Sequence, residues 1–153
     1  MNRRTFLSCS VGAVAASIPR ALGAQAAESV AVVDANVVSE AELAKLPHMN
    51  AALAKALVGQ RPFRTISTLD AFLTKQGLTR PQLTELYGRM FVPVNLNTAT
   101  DAEILLIPGV GSRLLHEFKE YRPYQAIEQF RREIGKYVSK GEVARLERYV
   151  TVK

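Results

Sequence analysis

The stretch Ile107-Pro108-Gly109-Val110-Gly111-Ser112-Arg113-Leu114 holds the residues best suited to chemistry in this chain of 153 residues. A proline stops one helix, two glycines bracket a single apolar residue, and a new helix starts. Glycine reaches backbone angles that other residues avoid, and it puts no side chain in the way of a ligand. The first amides of the new helix have no intrahelical partner, and with the helix dipole they favour an anion. Arg113 adds a full charge on the first turn. The expected chemistry is the gripping of one nucleic-acid backbone phosphate, without base reading, by Gly109, Val110, Gly111, Ser112 and Arg113. Between the glycines, Val110 is expected to plug into the helix pair.

Other chemistries find little support. Nothing resembles a Ser-His-Asp set, a P-loop or a dinucleotide fingerprint, so no catalytic residue and no cofactor are expected. His48 and His116 lie far apart with no His or Cys at ligand spacing, so no metal site is expected either. Arg131, Arg132, Lys136, Lys140, Arg145 and Arg148 crowd the C-terminal region, but Glu128, Glu133, Glu142 and Glu147 are interleaved with them. Mixed signs at this spacing predict a solvated, salt-bridged helix face. Tyr121 and Tyr124 flank Pro123 and are expected to pack in the core or a loop, with stacking on a sugar or base as the alternative.

The elements that position the hairpin come from an internal repeat. At an offset of 61 residues, Val33-Asp34-Ala35-Asn36 falls on Val94-Asn95-Leu96-Asn97, Leu46-Pro47 on Ile107-Pro108, and Arg61-Pro62-Phe63 on Arg122-Pro123-Tyr124. Past Ile134 the offset slips to 60, so Leu78, Leu83 and Leu86 meet Val138, Val143 and Leu146. Each copy reads as helical. Capping boxes mark helix starts at Ser39 with Glu42, Thr79 with Gln82, Thr100 with Glu103, and Ser139 with Glu142. Apolar residues three and four apart follow each start. Third helices are expected over about 68–76 and 127–134, and fourth helices over about 80–88 and 140–149, by the same periodicity. Phe91-Val92-Pro93-Val94 reads as a short extended linker. The expected fold is all-α: two tandem units of four short helices each, over 33–93 and 94–153.

Residues 1–26 are set apart from the fold. Arg3-Arg4-Thr5-Phe6-Leu7, a short apolar run and Ala24-Gln25-Ala26 resemble a cleavable twin-arginine export signal, which implies a bacterial periplasmic location. The apolar run from Thr5 to Ile18 is too short for a span, which needs about 20 residues. Its removal takes the single cysteine, Cys9, with Arg3, Arg4 and Arg20. That leaves 17 Lys and Arg of the original 20 against 14 Asp and Glu, a net charge of +3. So mild a charge does not coat nucleic acid on its own, and any binding must come from local geometry.

Asn95-Leu96-Asn97-Thr98-Ala99-Thr100, then Glu103, then Ile107-Pro108-Gly109-Val110-Gly111 resemble the helix-hairpin-helix domain of ComEA-type competence proteins. The resemblance implies an exported helical protein that binds duplex DNA without sequence preference, with hairpin amides on the phosphates. It covers 94–153 well and 33–93 weakly. Copy one reads Leu46-Pro47-His48-Met49-Asn50, without either glycine. There Met49 keeps the plug, Asn50 is expected to tolerate the left-handed backbone, and His48 should hinder a phosphate. Each second hairpin keeps one glycine, Gly77 or Gly135. The alternative function is a structural or protein-interaction module that kept the fold without binding DNA.

Overall fold

A computed structural model describes residues 31–153; the export signal expected over 1–26 and its Cys9 lie outside them. The protein is mostly helical, with eight α-helices among the described residues. The first half runs β1 (Val33–Asp34), α1 (Glu40–Leu43), α2 (Ala51–Gly59), α3 (Ile66–Lys75), α4 (Arg80–Tyr87) and β2 (Met90–Phe91). The second half follows the same order: β3 (Val94–Asn95), α5 (Asp101–Leu105), α6 (Ser112–Glu120), α7 (Ile127–Ile134), α8 (Lys140–Leu146), a 3-10 turn (Glu147–Tyr149) and β4 (Val150–Thr151).

The expected extended linker holds β2 and β3. Each half is closed by a parallel pairing of its own first and last strands, Val33 opposite Met90 and Val94 opposite Val150. The amides of Val33 and Ala35 donate to Arg89 and Phe91, and that of Leu96 donates to Thr151, each at 2.9 Å. Strands of two residues are too short to show alternation, so their pairing is visible only in three dimensions.

A second long-range tie repeats in both halves. The Asn36 side chain accepts from the Phe63 amide (2.7 Å) and donates to the Phe63 carbonyl (2.9 Å). In the second half, Asn97 does the same with Tyr124, at 2.7 and 3.0 Å. Arg61 donates to the carbonyls of Ala35 and Val38, and Arg122 to that of Ala99. Both Arg-Pro bonds, Arg61-Pro62 and Arg122-Pro123, are cis. The loop after each first strand is thereby bound to the segment that leads into α3 or α7.

The helices are too short to stand alone and depend on burial. Leu43, Leu57, Ile66, Leu69, Leu73 and Leu86 fill the first half, and Ile104, Phe118, Phe130, Ile134 and Leu146 the second, all fully buried. Each such side chain contributes roughly 1.5–3 kcal/mol when removed from water. Phe91 of β2 meets Tyr149 edge-on with ring centroids 5.0 Å apart, so the two halves share apolar contact. No helix among the described residues is long and apolar enough to cross a membrane.

Candidate nucleic-acid interface

The turn before α6 is built as its residue types demand. Gly109 takes φ +82°, the left-handed region that favours glycine. Val110 is buried, and its amide donates to the Ile107 carbonyl at 3.1 Å. Val110 therefore serves as the plug, and its amide is not free for a ligand. Gly111 is extended (φ −107°, ψ −177°), caps α6 with no side-chain hydrogen bond, and has open space where a Cβ would stand. The amides of Gly111, Ser112, Arg113 and Leu114 find no acceptor among the described residues. Gly111, Ser112 and Arg113 are exposed, and Arg113 makes no ion pair among the described residues. Of the five expected residues, Gly109, Gly111, Ser112 and Arg113 thus form an open cap around the start of a nine-residue helix.

The equivalent turn before α2 has the same path and different chemistry. His48, not Asn50, takes the left-handed backbone, at φ +61°. Asn50 is extended (φ −140°) and its side chain accepts from the Leu53 amide at 2.8 Å. That amide is the counterpart of the Leu114 amide left open before α6. The first hairpin therefore satisfies its own helix start with a side-chain oxygen. His48 Nε2 lies 2.8 Å from Glu85 Oε2 of α4. His48, Asn50 and Leu53 also border a 380 Å³ cavity, lined as well by Gln76, Gly77 and Gln82.

One residue that sequence reasoning assigned to a solvated face belongs at the open hairpin. A Cβ built on Gly109 would stand 3.0 Å from Arg145 Nη2 and 4.0 Å from Glu142 Oε1. Arg145 donates to both Glu142 oxygens (2.8 and 2.6 Å) and lies over the Tyr149 ring, 5.7 Å from its centroid. These hydrogen bonds hold the Glu142 carboxyl below the usual carboxylate range. At the 60-residue offset, Glu85 is the counterpart of Arg145. The same place beside the two hairpins is thus cationic in one half and anionic in the other.

The remaining cations of the last helices are largely paired. Arg131 reaches Glu147 and Glu128, while Arg132 and Lys136 share Glu133. Tyr124 is buried, and Tyr121 hydrogen-bonds the Tyr137 hydroxyl at 2.8 Å, so both tyrosines pack rather than offer stacking faces. His116 lies 3.5 Å from Glu120, and no cluster of three or more His, Cys, Asp or Glu could hold a metal ion among the described residues. No protein-family model matches the chain, and neither a curated protein nor a solved structure matches it.

Proposed function

We propose that this chain is an exported module of two helix-hairpin-helix units, related to the ComEA type, that binds duplex DNA by its backbone. The single observation behind the reading is the uncapped start of α6: among the described residues, four amides without acceptors, an exposed Arg113 with no ion pair, and no side chain at Gly109 or Gly111. Amides converging at a helix start suit a phosphate oxygen, and a phosphate contact carries no base information. The N-terminal twin-arginine pattern supports a periplasmic site of action. The alternative is a module that holds another protein, favoured by the first hairpin, whose Asn50 occupies the position a phosphate needs.

The test is a titration of the full chain with duplexes of unrelated sequence at low and moderate salt. Binding should be equal across sequences and weaken as salt rises. Arg113→Ala should lower affinity severalfold for every duplex and reduce the salt slope by about one counterion, as loss of one phosphate contact requires. Lys55→Ala on α2 should change little. No duplex binding at low salt rejects the reading in favour of the interaction module.

A further inference from the structure

Resting on that reading, we propose that the Glu142–Arg145 pair is a gate on the open hairpin: Glu142 holds Arg145 as an internal substitute for phosphate, and an incoming phosphate takes the guanidinium over. Three observations converge on this pair. The guanidinium is seated against Gly109, since the place of a Gly109 Cβ is 3.0 Å from its Nη2. Its two donors already engage two carboxylate oxygens, the fork geometry that also fits two phosphate oxygens. Finally, Glu142 has left its expected partner. Glu42, Gln82 and Glu103 each accept from the backbone amide of their own N-cap residue, Ser39, Thr79 and Thr100. Ser139 caps the Glu142 amide at 3.2 Å, but the Glu142 side chain does not return the bond; it goes to Arg145.

The exchange leaves neither side chain without a partner. When phosphate binds Arg145, Glu142 is released to its box position on the Ser139 amide, where the other three boxes show a Glu or Gln is accommodated. The carboxylate otherwise stands beside the place a phosphate would occupy and repels it. With side chains about one-third exposed, the pair remains within reach of an exchanging ligand. The first half has no such device, because Glu85 stands where Arg145 does and engages His48.

A double-mutant cycle with a fluorescein-labelled 20-base-pair duplex and the full chain tests the gate. Glu142→Gln keeps the cap-compatible shape and removes the competing charge, so affinity should rise about threefold, the scale of a partly exposed ion pair. Glu40→Gln on α1 makes the same change in net charge and should yield a smaller gain. Arg145→Ala should weaken binding about fivefold, from loss of one charge-assisted contact. In the Arg145→Ala background, Glu142→Gln should add no more than Glu40→Gln does. Equal gains from Glu142→Gln and Glu40→Gln, or a Glu142→Gln gain that survives Arg145→Ala, overturn the gate while leaving DNA binding intact. Failure of every variant to bind the duplex overturns the gate and the binding reading together. Circular dichroism of each variant shows that helicity is retained.

Discussion

The two hairpins share a backbone path and differ in what occupies it. Before α2, His48 holds the left-handed position and Asn50 caps the helix with its own side chain. Before α6, Gly109 and Gly111 take the same places, and the first amides are left open. The neighbouring charge differs too, Glu85 in one half and Arg145 in the other. A hairpin can therefore keep its geometry while exchanging open amides for an internal cap. The glycines matter less for the turn, which His48 makes without one, than for what they leave uncovered.

The largest test of this contrast is Gly109→Val. A β-branched residue at φ +82° carries backbone strain of order 1–3 kcal/mol, and its Cβ would press on Arg145. Duplex affinity should fall more than tenfold with helicity preserved, and the melting temperature should drop. Affinity close to that of the unaltered chain would mean that the hairpin does not face the ligand.

A pair of exchanges sharpens the comparison. Gly111→Asn should give α6 the cap that Asn50 gives α2, raising stability by a few tenths of a kcal/mol while blocking the phosphate. Asn50→Gly should do the reverse at α2, a slight loss of stability with open amides and a modest gain in duplex affinity. Thermal melts and titrations of both variants read the two effects separately. If Gly111→Asn binds as well as the parent, an open helix start is not what the ligand uses.

Much of the fold was legible because its signals are local. The repeat, the proline stops and most helix starts follow from spacing and caps within a few residues of each other. The Thr65 cap escaped notice because its partner three residues on is Thr68 rather than Glu or Gln. Ser139 showed the reverse, a sequence box whose glutamate engages elsewhere. The exchange of roles between His48 and Asn50 was hidden because Asn suits both a left-handed turn and a helix cap, and only the hydrogen bond to Leu53 decides between them. Arg145 read as one more surface cation because its contact with Gly109 joins elements distant in sequence. The Asn36 and Asn97 ties span 27 residues each and left no local signal.

The smallest expected effect separates α7 and α8 from α3 and α4 by pH. Hydrogen bonds from Lys136 and Arg132 lower the Glu133 carboxyl below its ordinary pKa; Arg145 does so for Glu142 and Arg131 for Glu147. A carboxylate lowered in the folded state stabilises it above the unfolded pKa, and that stability is lost as pH falls through the folded value. All three groups sit on α7, on α8 or in the turn after it. Acidification below about pH 4.5, the start of that window, should therefore speed amide exchange there before α3 and α4, with a loss of only a few degrees in melting temperature. Faster exchange in α3 and α4 would show that these pairs contribute too little to be felt.

The paired ends of each half also have a mechanical meaning. Because β1 and β2 run parallel, a force that pulls Val33 and Phe91 apart along the chain loads both bonds of the pair at once, in shear. An antiparallel closure would be peeled open one bond at a time. β3 and β4 put Val94 and Thr151 in the same arrangement. The chain is thus two shear-loaded links in series, joined through Val92 and Pro93, and tension on its ends should open it in two discrete steps.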